Sequence, residues 1–108
     1  MVLEMAVLDV RPGEEAAFEV AFARAQSIIA AADGYLGHQL GRCLERENRY
    51  LLLVRWRSLA DHTDGFRGSS AYQEWRALLH HFYDPFPTVE HYGPVVSHDR
   101  WNEPPRAG

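Results

Sequence analysis

The sequence has a single cysteine, Cys43, among its 108 residues, so no intrachain disulfide is available and a reducing compartment is the natural setting. It has no run of about 18 apolar residues, so no membrane-crossing helix is expected. Met1-Val2-Leu3-Glu4 lacks the basic start of a secretory signal, and the expected location is the cytoplasm. Positive charge is in short supply as well. Eleven Lys and Arg stand against 15 Asp and Glu, a formal charge of −4, with no basic cluster to suit a nucleic acid. The six histidines, His38, His62, His80, His81, His91 and His98, have no His-x3-His or Cys-x2-Cys spacing, so no metal site is expected. No Gly-x-Ser-x-Gly elbow, internal repeat or low-complexity stretch occurs. These absences exclude a disulfide scaffold, a membrane protein, a nucleic-acid binder and the commoner hydrolases.

What remains is an ordinary globular composition, 46% apolar and 24% charged, of a length that makes one domain. Val2 to Val10 is a predicted strand with apolar residues on both faces: Val2, Ala6, Leu8 and Val10 on one, Leu3, Met5 and Val7 on the other. A strand apolar on both sides needs cover on both, and in so short a chain the second cover points to another subunit. Glu14 to Ala32 has Phe18, Phe22, Ala25, Ile29 and Ala32 at helical spacing, with Gly34 as the stop. Tyr35–Leu44 and Arg49–Arg57 make a hairpin across Glu45-Arg46-Glu47-Asn48. A broken helix follows over 58–66 and 70–82, then a prolyl loop and a last strand over Thr88–Ser97. The order β-α-β-β-α-β is that of the ferredoxin-like α+β fold. One domain over 2–97 and a C-terminal tail over 98–108 are expected.

The stretch from Tyr50 to Trp75 organises the rest. It holds a strand ending in Trp56, a helix start at Ser58-Leu59-Ala60-Asp61, a break at Phe66-Arg67-Gly68-Ser69, and a second start at Ser70-Ala71-Tyr72-Gln73. Four segments carry a resemblance over roughly residues 2 to 96: Arg11-Pro12-Gly13, Asp33-Gly34-Tyr35-Leu36-Gly37, Val54-Arg55-Trp56-Arg57-Ser58 and Gly68-Ser69-Ser70-Ala71-Tyr72. The chain resembles the antibiotic biosynthesis monooxygenase (ABM) family of dimeric α+β barrel proteins. That resemblance implies a homodimer whose two sheets meet face to face, with a pocket between sheet and helices in each subunit.

The resemblance also points to residues. Haem-degrading members carry an Asn, a Trp and a His at positions that fall here on Ala6, Phe66 and Arg76, so none is matched and no haem is expected. Members that oxidise polyketide-derived phenols carry a Trp at the strand end and an Arg about twenty residues later, matched here by Trp56 and Arg76. Their Tyr position is His62 and their Asn position is Leu52. On this basis His62 and Arg76 are the candidate catalytic residues, and Trp56, Tyr72 and Arg76 the candidate ligand-binding residues. His62 would relay a proton, Arg76 would hold a phenolate or enolate, and Trp56 would offer a flat surface to an aromatic ring. The bland readings are a core Trp56, a surface-paired Arg76, an exposed His62 and a Tyr72 that only packs. The implied activity is cofactor-independent oxygenation of a small aromatic compound. The alternatives are a non-catalytic ligand-binding or stress-response dimer and a structural partner of a biosynthetic enzyme.

Overall fold

The computed structural model describes residues 1–96. The expected tail over 98–108, with His98, lies outside the described residues, as does the end of the expected last strand. Strands β1 (Val2–Asp9), β2 (Tyr35–Arg42), β3 (Arg49–Trp56) and β4 (Val89–Tyr92) form one antiparallel sheet in the order β2-β3-β1-β4. Helices α1 (Glu15–Ala30) and α2 (Ser70–Leu79) cover one face. This is the ferredoxin-like α+β arrangement that the element order predicts.

The period-two pattern of the strands decides which residues meet the helices. From β1 the inward set is Glu4, Ala6, Leu8 and, just beyond the strand, Val10, all buried. From β3 it is Tyr50, Leu52, Val54 and Trp56. Phe18, Phe22, Ala25 and Ile29 of α1 and Trp75 and Leu79 of α2 close the core from above. Phe18 sits at its centre, with ring centroids 4.9 Å from Tyr50 and 5.7 Å from Phe82. Glu4 is the one carboxylate in the inward set.

The opposite sheet face is also apolar. Met5 pairs with Leu53 and Val7 with Leu51 across β1 and β3, and these side chains are half-buried or exposed. Tyr92 of β4 and Leu36 of β2 are exposed as well. No helix of the chain reaches that face among the described residues.

Local boundaries differ from expectation in instructive ways. The segment after Trp56 is a π-helical turn over Asp61–Phe66, preceded by a short α-helical piece, rather than an α-helix over 58–66. Ser58 does mark its start: its Oγ accepts from the Asp61 N–H at 3.2 Å and donates to the Asp61 carboxylate at 2.9 Å. Arg57 adds two hydrogen bonds to the same carboxylate, at 3.0 and 2.8 Å. Asp61 in turn fills the space over Gly34, whose φ of +80° already favours glycine; a Cβ there would lie 2.3 Å from Asp61 Cγ. Gly34 therefore does more than stop α1: it lets the turn carrying His62 dock against the α1–β2 corner. Helix α2 is capped by Ser69, one residue earlier than the Ser-x-x-Gln pattern suggests, its Oγ accepting from the Tyr72 N–H at 3.3 Å. It gives way at His80 to a tight 3₁₀ turn through Phe82.

Candidate functional site

Between the inner sheet face, the π-helical turn and α2 lies a cavity of about 340 Å³. Its floor is Glu4, Ala6 and Leu8 of β1 with Leu52 of β3, and Ile29 of α1 also lines it. Phe66, Tyr72 and Trp75 form an aromatic wall, and His80, Tyr83 and Phe86 close the far end. The polar groups at the near end are Glu4, His62 and Arg67. Flat apolar walls with a few converging polar groups are the usual composition of a small-ligand site.

The near end is built from four elements. Trp56, wholly buried, donates from Nε1 to Glu4 Oε1 at 2.9 Å. Its indole stacks on the His62 ring at a centroid distance of 5.1 Å and an interplanar angle of 18°. His62 Nε2 lies 3.3 Å from the same carboxylate oxygen. Its other ring nitrogen, Nδ1, shares a 2.7 Å hydrogen bond with His91 Nε2 on β4. Glu4 and His91 are themselves cross-strand partners in the β1–β4 ladder. The π-helical turn carries His62, whose buried ring lies between those of Trp56 and His91.

Burial sets the charge states. It pushes the Glu4 carboxyl above its ordinary range, against the opposing effects of the Trp56 N–H and the Arg67 charge. It pulls His62 down to about 3, with the Arg67 charge and then His91 adding to the effect. His91 is lowered by burial and by Arg67. His80 is lowered by burial and by the Arg76 charge, and burial raises Tyr83. Near neutral pH His62 is therefore uncharged, and its 3.3 Å approach to Glu4 is a carboxyl–imidazole contact rather than an ion pair.

The four residues singled out from sequence have different fates. His62 and Tyr72 line the cavity. His62 is buried at 3% exposure, not on an open helix face. Trp56 does not line the cavity; it stands behind His62 and Glu4 and holds both. Arg76 is exposed on α2 and outside the cavity lining, because Tyr72, Trp75 and Leu79 take the inward stripe. The arginine that lines the cavity is Arg67, itself exposed, at the edge where the π-helical turn ends. Sequence reasoning passed over Glu4, Arg67 and His91. Glu4 did leave a signal, a lone carboxylate at an even-numbered position in a strand whose other even positions are apolar.

A larger groove of about 500 Å³ opens between α1 and β2. Its polar groups are already matched to one another: Arg42 and Tyr50 both bond Glu19, and His38 bonds Gln26 at 3.1 Å. Its charged groups are thus paired within the groove, whereas the smaller cavity gathers a carboxyl, an imidazole and a guanidinium beside aromatic walls, and the smaller cavity is taken as the candidate site. Among the described residues no group of three or more His, Cys, Asp and Glu side chains is placed to hold a metal ion.

The family model for antibiotic biosynthesis monooxygenases matches residues 1–78. The uncharacterized protein YczJ of Bacillus subtilis (strain 168) is 57% identical over 95 residues, 88% of this chain and 100% of that protein. A Bordetella bronchiseptica crystal structure, described as an antibiotic biosynthesis monooxygenase, superposes with a TM-score of 0.83 at 37% identity, covering 88% of this chain and 97% of that one. SnoaB, a cofactor-independent oxygenase from Streptomyces nogalater, superposes with a TM-score of 0.67 at 22% identity, covering 92% and 96%, a likeness of fold.

The charge state of His62 has a measurable consequence. Its folded pKa lies below the unfolded value of 6.5, so between the two the unfolded chain binds a proton that the folded chain does not. Stability from this group is thus full above that unfolded value and falls as pH drops toward the folded one. Glu4, raised, acts in the opposite sense above its own ordinary value and offsets part of the loss. His62→Gln removes the His62 contribution. The gap in melting temperature between wild type and His62→Gln should narrow from pH 7.5 to pH 5, by the equivalent of about 2 kcal/mol at most. A gap that holds constant or widens toward acid would show that His62 is not buried in its neutral form.

Proposed function

This chain belongs to the antibiotic biosynthesis monooxygenase family, and we propose that it oxygenates a small aromatic compound held in the cavity between sheet and helices, without metal or flavin. The observation that carries this reading is the cavity itself. Aromatic walls from Phe66, Tyr72 and Trp75 converge on one carboxyl, one neutral imidazole and one guanidinium at its near end.

Such chemistry suits substrates that become electron-rich on losing a proton, because the substrate anion must itself pass an electron to dioxygen. The protein then has three tasks: to exclude water, to accept a proton and to face the resulting anion with positive charge. In this proposal the aromatic walls of Phe66, Tyr72 and Trp75 shield the reacting centre, the Glu4–His62 cluster accepts the proton and Arg67 faces the anion from the cavity edge. Tyr72 keeps the part proposed for it from sequence, as a ligand-lining residue, and His62 stays within the proton-handling cluster. Trp56 acts through His62 and Glu4. The part proposed for Arg76 passes to Arg67, since Arg67 is the guanidinium that lines the cavity. Arg76 is left with a lesser influence through His80.

We also propose that the protein is a homodimer joined through the outer sheet face. Met5, Val7, Leu51 and Leu53 make an apolar surface that the chain's own helices leave uncovered.

Three measurements test these proposals. Oxygen uptake with a panel of phenols and anthrones should exceed the protein-free rate without added metal or flavin. With 4-nitrophenolate as an anionic probe, Arg67→Ala should weaken binding about tenfold or more, since a charge-assisted hydrogen bond is worth roughly 1.5–3 kcal/mol. Arg76→Ala should leave binding within about twofold of wild type, as expected of an exposed charge with no direct contact. Tight probe binding without oxygen uptake for any substrate would reduce the protein to a ligand binder, and a loss confined to Arg76→Ala would move the anion site to α2. Sedimentation at micromolar concentration should give twice the chain mass of 12.4 kDa, and a clean monomer would overturn the dimer.

A further inference from the structure

The near end of the cavity holds two groups able to take a proton, Glu4 and His62, and the geometry separates their roles. Trp56 Nε1 and His62 Nε2 both approach Oε1 of Glu4, at 2.9 and 3.3 Å. Among the described residues, Oε2 receives no donor. On the other side of the imidazole, His62 Nδ1 and His91 Nε2 are 2.7 Å apart, so one must donate and the other accept. A carboxylate beside Nε2 holds the imidazole proton on that nitrogen. Nδ1 is then the acceptor and the His91 N–H the donor. Both His62 nitrogens are flanked in this arrangement: Nε2 lies 3.3 Å from Glu4 Oε1, a close contact rather than a hydrogen bond, Nδ1 is covered by His91, and the Trp56 indole covers a ring face.

We propose that Glu4 is the proton acceptor of this cavity and that His62, backed by His91 and Trp56, is its positioning residue. The inference rests on the ligand-site reading above and reverses the part that sequence assigns to His62. In the step it describes, the O–H bond of a phenolic or enolic ligand breaks and an O–H bond forms at Glu4 Oε2. The electron pair stays on the ligand oxygen, which becomes the anion facing Arg67, and the carboxylate becomes a carboxylic acid. No oxidant or metal enters this step. The charged and titratable groups around Glu4 are His62 and Arg67 from the π-helical turn and its end, and His91 from β4. Tyr72, His80 and Tyr83 line the same cavity farther along. The raised affinity of buried Glu4 for a proton, and the lowered affinity of His62, run in the same direction as the geometry.

The test has one arm without ligand and one with it. In the ligand-free protein, carbon and nitrogen NMR across a pH titration should show His62 neutral with its proton on Nε2. The Glu4 carboxyl should take up a proton on acidification before His62 does. A His62 proton on Nδ1, or an imidazolium at His62 before Glu4 is protonated, overturns the proposal whatever binds. In the second arm, 4-nitrophenol is added at a pH where the free probe is ionised. Binding should preserve the phenolate absorbance and take up a proton, read by calorimetry in buffers of different ionisation enthalpy. Glu4→Gln should abolish that uptake while still accepting the Trp56 N–H through its amide oxygen, and His62→Gln should retain it. Uptake lost in His62→Gln and kept in Glu4→Gln would assign the proton to His62 and overturn the proposal. Failure of wild type to bind the probe sinks the ligand-site reading, while the ligand-free titration still decides between Glu4 and His62.

Discussion

The structure depends on a carboxylate placed where a hydrophobic side chain would be cheaper. Glu4 sits on the inner face of the sheet, 6% exposed, in line with Ala6 and Leu8. Burying an unpartnered carboxylate costs several kcal/mol, so the surrounding residues are there to partner it. Trp56 spends its single N–H on Glu4, His62 brings a ring nitrogen beside it, and Arg67 contributes charge from the cavity edge. An apolar residue at position 4 would need none of this. A carboxyl retained at such cost, at the wall of a cavity with aromatic sides, is what a proton-handling site requires.

The rest of the fold can be traced outward from that cluster. Ser58, Arg57 and Asp61 fix the start of the π-helical turn, and Gly34 gives Asp61 room to dock. At the other end of the turn, a Cβ on Gly68 would lie 2.4 Å from the Asp64 carbonyl oxygen, so the chain needs glycine to leave the turn this tightly. Ser69 then starts α2, which carries Tyr72 and Trp75 to the opposite wall. The family relation and the 0.83 TM-score to the Bordetella bronchiseptica structure show that this frame is a shared one. The likeness to SnoaB concerns fold alone, so the chemistry has to be argued from Glu4, His62, Arg67 and their neighbours.

Much of the frame was legible in the sequence because periodicity is local. The alternation in Val2–Val10 and Tyr50–Trp56 placed the inner face, and the Phe18, Phe22, Ala25, Ile29 stripe placed α1. The site was less legible because its members come from four separate elements. His91 reaches His62 only through the pairing of β4 with β1, a contact across 29 residues that no local pattern encodes. Arg67 sits in a segment marked as a break, and nothing in its neighbours shows that the break opens onto a cavity. Arg76 is singled out by its distance from Trp56 in the resembled family, and that distance does not fix the face of α2 on which it falls. Tyr72, Trp75 and Leu79 take the inward stripe of α2, and Arg76 emerges on the exposed side.

The central claim, that the cavity floored by Glu4 is where a ligand is held, meets its most direct test in a crystal structure with a bound planar phenol. The account requires the ring between Phe66, Tyr72 and Trp75, with its oxygen within hydrogen-bond distance of both Glu4 Oε2 and the Arg67 guanidinium. A phenol found instead in the groove between α1 and β2, against Arg42 and Gln26, with the Glu4 cavity empty, would contradict it.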